Sequence, residues 1–265
     1  MMTRENFLEN NFVCEFVNWL VLKLDSDFVH VYVNRRTKKK WTCCSIYNAY
    51  EKYMWNQHDF ETNNNYLERL EFELRNSIEQ NNNEYCQNIC LKILEWGGVL
   101  RGNRDRINNA LNLVETLKQA QFKLSADVIE NKQYYSGLYI NSGFSKIYSL
   151  CVDDYAIYDS RVGTALGFLV REFCLDNNLD MVPSVLKFAY AKGRNLNVNR
   201  NPSFGNYKFP LLRLDNYIEN NIKANWLLKK VLLYPSKFKQ LPLSKQLRAL
   251  DAALFMIGYE IPNLR

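Results

Sequence analysis

Residues 156–162 of this chain read Ala-Ile-Tyr-Asp-Ser-Arg-Val, and they mark the boundary between an apolar segment and an amphipathic helix. After this stretch, apolar residues recur at three- and four-residue steps as far as Phe173, which predicts one buried helical face. Asp159 is then the N-cap of that helix, where its carboxylate can accept backbone N–H groups at the positive helix end. Two interpretations follow. Asp159 only caps the helix, or it is a fixed anion that stabilises a developing cation or activates water.

A lysine lies thirteen residues before this carboxylate, on what is predicted to be the preceding helix. Ser142-Gly143 is a turn signal, and residues 144–151 are predicted to form a short helix with Lys146 in its first turn. A lysine amine and a carboxylate on adjoining helices can face one cleft, and a buried lysine can act as a nucleophile. The alternative interpretation is a solvated lysine at a helix start.

Outward from this stretch the sequence is predominantly helical. Amphipathic patterns predict further helices over residues 5–24, 66–79, 84–96, 104–120, 183–191, 223–234 and 244–259. Asn-rich runs at 63–65 and 81–83 are predicted to be the loops around the second of these helices, and Leu111 is predicted to lie in the apolar stripe of 104–120. Residues 30–33 and 41–46 predict a small β-hairpin around a basic turn.

These patterns predict a mainly α fold, a compact multi-helix domain with a small N-terminal β element. We expect residues 1–60 to form an N-terminal helix with the β-hairpin, and residues 61–265 to form the helical domain. Strands do not alternate with helices, which argues against a parallel α/β sheet. The sequence contains no glycine-rich phosphate loop, so nucleotide-cofactor chemistry is not supported, and we expect no cofactor.

The composition is that of a folded protein with modest positive charge. The 265 residues are 47% hydrophobic, and 34 basic residues against 28 acidic ones leave a net charge of +6. This charge is compatible with an anionic partner. Seven cysteines without a repeating framework and only two histidines predict reduced thiols and no metal site. We expect no signal peptide and no membrane span, and therefore a cytoplasmic protein (nucleoid-associated if bacterial).

A long basic loop over residues 192–210 is a second candidate functional segment. It carries four cations and no acids, and includes Lys192, Arg194 and Arg200. Long loops in compact domains are often functional, and arginine and lysine side chains can grip phosphates. The alternative is a surface loop that is merely basic.

The order turn, helix with Lys146, and then Asp159 at the start of the next helix resembles the helix-hairpin-helix DNA glycosylase superfamily. The best resemblance is to its 8-oxoguanine glycosylase branch. The string Asp-Ser-Arg-Val-Gly-Thr-Ala-Leu at 159–166 is similar to that branch's aspartate-containing helix start. The similarity covers roughly residues 85–180. It departs where the family has a Gly-x-Gly hairpin, because this chain has Ser142-Gly143-Phe144, and the lysine-to-aspartate interval is shorter.

The resemblance implies an enzyme that removes a damaged or modified base flipped from double-stranded DNA, in repair or in defence against phages. It implies Asp159 as the essential carboxylate and Lys146 as the group that attacks C1′ in members with lyase activity. By the same resemblance, Gly143, Phe144 and Ser145 present backbone N–H groups to a phosphate. The expected DNA contacts are these three residues with Ser142 and Arg161, and the loop cations Lys192, Arg194 and Arg200. No obligatory protein partner is implied. Two other functions stay open, namely a non-catalytic DNA-binding protein on the same scaffold and a helical protein-interaction module.

Overall fold

A computed structural model of the chain describes residues 1–35, 37–193 and 197–263. Its α-helices, in chain order, are α1 (Arg4–Leu8), α2 (Asn11–Asp25), α3 (Ile46–Glu51), α4 (Phe60–Glu79), α5 (Asn83–Trp96), α6 (Arg104–Asn108), α7 (Leu113–Leu124), α8 (Ser142–Cys151), α9 (Ser160–Asp176), α10 (Tyr217–Val231) and α11 (Leu243–Ile257). The β-strands are β1 (Met2–Thr3), β2 (His30–Val33), β3 (Lys40–Cys43) and β4 (Val128–Ile129). The predicted fold class, mainly α with a small N-terminal β element, is confirmed.

The strands form two small antiparallel pairs. β2 pairs with β3, with His30 opposite Cys43, so the predicted hairpin is confirmed. Its second strand ends earlier than predicted because Ser45 caps α3 by accepting the Asn48 amide. β1 pairs with β4 and was not predicted. Strands of two residues are too short to show an alternating pattern.

Two predicted helices are each divided in the structure. The segment 5–24 forms α1 and α2, because the Asn10 side chain accepts the Phe12 amide and starts a new helix. The segment 104–120 forms α6 and α7, separated by residues 109–112. Leu111 lies in this break with 88% of its surface exposed, so its predicted place in the apolar stripe is wrong.

Two further predictions are wrong. Residues 63–65 are not a loop but lie inside α4, where Asn63 and Asn64 are buried and hydrogen-bonded. Residues 183–191 do not form an α-helix. They contain one 3-10 turn over Ser184–Leu186, after which the chain is extended and Tyr190 bridges to Leu211.

The predicted turn at Ser142-Gly143 is also wrong, because both residues belong to α8. Asn141 is the N-cap, and its side chain accepts the amides of Gly143 and Phe144. Residues 125–141, which include β4, connect α7 to α8. The tight hairpin that the family resemblance implied before Lys146 is therefore not present at this position.

One hydrophobic core extends from Phe7 to Ile261, and α9 lies inside it. α11 packs along α3 and α9, and α4 packs along α5. Phe16 of α2 lies 5.4 Å from Phe173 of α9 between ring centroids, so the N-terminal segment contributes to the same core. The division of the chain near residue 60 stays a prediction.

The end of α11 lies directly against the start of α9. A Cβ atom on Gly258, the residue after α11, would lie 1.8 Å from the backbone oxygen of Arg161. Only a residue without a side chain allows this approach. The contact brings the C-terminal half of α11 beside the first turn of α9, where the candidate site lies.

Candidate active site

A cavity of about 480 Å³ opens beside the first turn of α9. It lies between α4, the end of α5, the start of α8 and α11, so its walls come from helices distant in sequence. Its polar and charged side chains include Asn63, Asn64, Ser142, Lys146, Asp159, Ser160, Arg161, Lys192, Arg200, Arg248 and Asp251. Its aromatic side chains are Tyr53, Trp55, Phe60, Trp96, Phe255 and Tyr259. A cavity of this size and mixed polarity is typical of a small-molecule binding site.

Three helices hold the extended chain that leads into α9. The amides of residues 156, 157 and 158 donate, in that order, to Asn225 Oδ1 (2.6 Å), Asp251 Oδ2 (3.4 Å) and Ser145 Oγ (2.7 Å). These acceptors belong to α10, α11 and α8. Because buried amides need partners, side chains from three helices fix the segment that ends at Asp159.

Asp159 is the N-cap of α9, as predicted. Its Oδ1 accepts the amides of Arg161 (2.8 Å) and Val162 (3.2 Å), and its Oδ2 accepts a hydrogen bond from Lys146 Nζ at 3.2 Å. Burial by itself raises the pKa of this carboxyl, but the charges of Lys146 and Arg161 and the two amides outweigh burial and hold the pKa below its usual value. Asp159 is therefore a buried, ionised carboxylate at the cavity wall.

Lys146 faces the same cavity, so the predicted meeting of the two side chains is confirmed. The lysine is 5% exposed and lies in α8, where its Nζ also donates to the Ser142 carbonyl at 3.4 Å. Its aliphatic stem passes over Gly97, at which a Cβ would lie 2.5 Å from Lys146 Cδ. Gly97 therefore leaves the space through which the ammonium group reaches Asp159.

Asp251 is a second buried carboxyl group in the cavity wall, and it was not among the residues predicted from the sequence. Its Oδ2 accepts the amide of Ile157, while its Oδ1 is buried without a hydrogen-bond partner among the described residues. Burial and then the negative charge of Asp159 raise the pKa of Asp251 to about 8. A signal was present in the sequence, since Asp251 interrupts the apolar run Ala249-Leu250-Asp251-Ala252-Ala253-Leu254.

Arginines and aromatic rings form another part of the wall. The Arg161 guanidinium lies 4.0 Å from the ring centroid of Phe255 and 5.0 Å from that of Tyr259. Burial and then the charge of Arg200 lower the pKa of Arg161 to about 10. Arg200 donates to Ser160 Oγ at 2.8 Å and to the Tyr259 carbonyl at 3.2 Å. Of the other predicted loop cations, Lys192 is exposed at the cavity, and Arg194 lies outside the described residues.

Helix α4 forms another part of the wall with Asn63 and Asn64, which were predicted to lie in a loop. Asn63 donates to the carbonyls of Trp55, His58 and Asp59 and accepts the Trp96 indole N–H at 2.7 Å. Both indoles belong to the cavity lining. Asn64 accepts from Arg248 Nη1 at 3.0 Å, and Arg248 Nη2 pairs with Glu71 at 2.8 Å.

The predicted phosphate-binding segment at the start of α8 has no backbone N–H group free for a phosphate at residues 143–145. Gly143, Phe144 and Ser145 are buried. The amides of Gly143 and Phe144 bond to the Asn141 side chain, and that of Ser145 bonds to the Asn141 carbonyl. The prediction that these amides bind a phosphate is therefore wrong, because each is already satisfied. Ser142 lines the cavity through its position next to Lys146.

Within the described ranges, no group of three or more His, Cys, Asp or Glu side chains is arranged to hold a metal ion. No helix in those ranges is both long enough and apolar enough to cross a membrane. We compared the whole chain with models of protein families, with curated proteins and with solved structures, and none of them matches it.

Proposed function

We propose that this protein is a DNA glycosylase that breaks the N-glycosidic bond of a damaged or modified base flipped out of double-stranded DNA. The observation that carries the proposal is the buried Lys146–Asp159 pair at the wall of a cavity lined by aromatic rings and cations. The resemblance of residues 159–166 to the aspartate-containing helix of the helix-hairpin-helix glycosylases supports the same function.

The charge of Asp159 suits this reaction. When the C1′–N bond breaks, positive charge develops on the deoxyribose. A fixed carboxylate beside it stabilises that charge without reorganising, and it can also accept a proton from an attacking water. Asp159 is held by two amides and by Lys146, so its position does not depend on the substrate.

Lys146 is within reach of the same carbon. Its Nζ lies 3.2 Å from Asp159 Oδ2, so a sugar seated against the carboxylate also lies beside the amine. Loss of a proton from the Lys146 ammonium frees the amine, whose attack on C1′ breaks the C1′–N bond, and the base leaves with the electron pair of that bond. Opening of the sugar ring then gives a Schiff base that borohydride reduces to a stable adduct. The proposal therefore includes lyase activity through Lys146, with the amine proton passing to Asp159 or to solvent.

The remaining walls suit a flipped nucleotide. Indole and phenyl rings offer stacking faces for a base, and Asp251 offers a carboxyl group for its edge. Arg161, Arg200 and Lys192 surround the sugar-binding end with positive charge, which suits the flanking phosphates. The partner is thus double-stranded DNA.

The test is base release from duplexes that each carry one altered base, from a panel of 8-oxoguanine, uracil, alkylated bases and phage-type modified bases. Wild type is compared with Asp159→Asn. Asp154→Asn is the matched control, because it replaces the same residue type at an exposed position. We expect release by wild type and Asp154→Asn, and loss of release in Asp159→Asn. Equal activity of all three proteins would overturn the role of Asp159.

Borohydride trapping tests Lys146 separately. We expect a protein–DNA adduct with wild type and with Lys187→Gln, an exposed lysine control, and none with Lys146→Gln. If no base of the panel is released while tight, salt-dependent duplex binding persists, the protein is a non-catalytic DNA-binding protein. Absence of duplex binding at moderate salt indicates a protein-interaction module.

A further inference from the structure

We propose that Asp251 is a second catalytic residue, the acid that donates a proton to the departing base. The inference rests on the proposed glycosylase function and assigns a role separate from those of Asp159 and Lys146. Asp159 is an anion, and two of the three N–H groups of the Lys146 ammonium are directed at Asp159 and at the Ser142 carbonyl.

The two carboxyl oxygens of Asp251 have different surroundings. One oxygen, Oδ2, is anchored by the amide of Ile157, next to the segment that ends at Asp159. The Asp251 side chain borders the cavity, and its other oxygen, Oδ1, is buried without a hydrogen-bond partner among the described residues. Buried polar atoms are normally paired. In the proposed role Oδ1 has the bound base as its partner, which the carboxyl group reaches by turning toward the cavity.

Four charged or titratable groups face Asp251. They are Asp159 and Lys146 at the starts of α9 and α8, Arg248 one turn earlier on α11, and Tyr53 after α3. Burial and then Asp159 raise the pKa of Asp251 to about 8, and the Ile157 amide, Lys146 and Arg248 offset this only in part. At neutral pH the carboxyl is thus a proton donor.

The two carboxyl groups of the cavity are therefore in opposite states. The pKa of Asp159 lies below its usual value and that of Asp251 well above. When two carboxyl groups in one site differ in this way, one supplies a proton and the other supplies negative charge. A base leaves more readily as a neutral molecule than as an anion, so a proton donor on the base and an anion beside the sugar assist the same bond cleavage.

The arginines of the cavity cannot replace this donor, because guanidinium groups do not release protons in proteins. Arg248 is also engaged by Asn64 and Glu71. Among the cavity groups that the structure describes, Asp251 combines a transferable proton with an unpaired oxygen.

In hydrolysis, the C1′–N bond breaks and its electron pair goes to the base, while the Oδ1 proton of Asp251 goes to an acceptor atom of the base, which leaves neutral. Solvent water then forms the C1′–O bond and loses its proton to Asp159. Asp159 returns this proton to solvent, and Asp251 takes one from solvent, so both carboxyl groups regain their starting states.

The experiment measures single-turnover base release against pH for wild type and Asp251→Asn, on a base that wild type releases from the panel. Asparagine keeps the size of the neutral acid and can still accept the Ile157 amide, but it cannot transfer a proton. We expect release at pH 7 to fall about 10²- to 10⁴-fold. We also expect the wild-type rate to decline above about pH 8, and this alkaline decline to be absent in the variant.

Affinity for a duplex that carries a stable abasic-site analogue separates catalysis from structure, because this probe has no base. We expect Asp251→Asn to bind it as wild type does, within about 3-fold. The inference is overturned by wild-type release in the variant, by an unchanged alkaline decline, or by loss of abasic-site affinity in proportion to loss of rate. If wild type releases no base at all, the proposed function itself is wrong and the role of Asp251 is wrong with it.

Discussion

Helices α8 and α9 are capped alike, yet only the cap of α9 is charged and borders the cavity. Each is capped by a side-chain oxygen that accepts two amides, from Asn141 in α8 and from Asp159 in α9. The neutral cap donates a side-chain N–H to Asn103 Oδ1 at 2.9 Å, in a partly buried contact. The charged cap uses its second oxygen for Lys146 at the cavity. The difference teaches that capping chemistry alone does not identify a site, because what the second oxygen faces decides its role.

The largest expected effect comes from exchanging the charge of the two caps. Asp159→Asn should keep the cap but lower the rate of base release about 10³-fold, since an amide cannot offset positive charge on the sugar. It should also lower the free energy of unfolding by up to about 3 kcal/mol, because Lys146 loses its buried counter-charge. Single-turnover kinetics and urea unfolding measure the two effects.

The reverse exchange, Asn141→Asp, is the control. It should leave the rate of base release unchanged and cost about 1 kcal/mol, because a carboxylate cannot donate to Asn103. Similar rates in the two exchanged proteins would remove the functional distinction between the caps.

A second prediction concerns the carboxyl group that holds the chain entering α9. The pKa of Asp251 is about 8 in the folded protein and about 4 in an unfolded chain. Between these values the folded protein holds a proton that the unfolded chain has released, so raising the pH from about 4 to about 8 lowers the free energy of unfolding. The contribution is at most about 1.4 kcal/mol per pH unit and becomes constant above pH 8.

Asp251→Asn should remove this pH dependence and make the variant more stable than wild type at pH 8. Urea unfolding of both proteins at pH 5 and pH 8 measures it. A wild-type minus variant difference that is the same at both pH values would show that Asp251 does not hold its proton across this range.

A third prediction displaces Lys146 without changing it. Gly97→Ala places a methyl group where the Lys146 stem lies, with contacts of 2.5 Å to Cδ and 2.9 Å to Cε. Because the lysine stem is flexible, we expect only a modest loss in the free energy of unfolding. The rate of borohydride adduct formation should fall 10- to 100-fold, since misplacing a reacting group by about 1 Å lowers its reaction rate by up to about that factor. Gly102→Ala is the control, with no heavy atom within 4 Å of its Cβ. A wild-type adduct yield with Gly97→Ala would show that the placement of this amine is not limiting.

The smallest expected effect lies in the α8 turn. Gly143→Ala puts a methyl group 2.6 Å from Asn103 Nδ2 and 2.8 Å from Leu94 Cδ2. We expect a loss of about 1–3 kcal/mol in the free energy of unfolding from overpacking. The rate of base release per folded molecule should stay within about 3-fold of wild type, measured at a temperature where the variant is folded. A large loss of rate in fully folded Gly143→Ala would show that the first turn of α8 takes part in catalysis or DNA binding.

Local features of the site were predictable from the sequence. Helix α9 and its cap follow from the spacing of apolar residues after Asp159 and from the preference of aspartate for N-caps. Lys146 on the preceding helix follows from the same kind of pattern. These features depend on contacts within a few residues, which is why one sequence is enough for them.

Other features depended on contacts between distant segments. The Asn-rich run 63–65 has the composition of a loop, but Asn63 bonds three carbonyls and an indole, and Asn64 bonds Arg248, so the run is stable inside α4. The turn signal Ser142-Gly143 was overridden in the same way, because the Asn141 cap and the packing of Gly143 against Leu94 favour helix.

The sequence by itself determined that this chain is mainly helical, that a carboxylate caps a buried helix at residue 159, and that a lysine precedes it on another helix. Only the tertiary structure decided that the two side chains meet at 3.2 Å, that Asp251 stands beside them, and that rings from four separate segments enclose the space between. The physical reason is that helix periodicity and capping are local, whereas the pKa of a carboxyl group depends on burial and on charges brought near it by segments up to about 100 residues away. In this protein that dependence makes Asp159 an anion and Asp251 an acid.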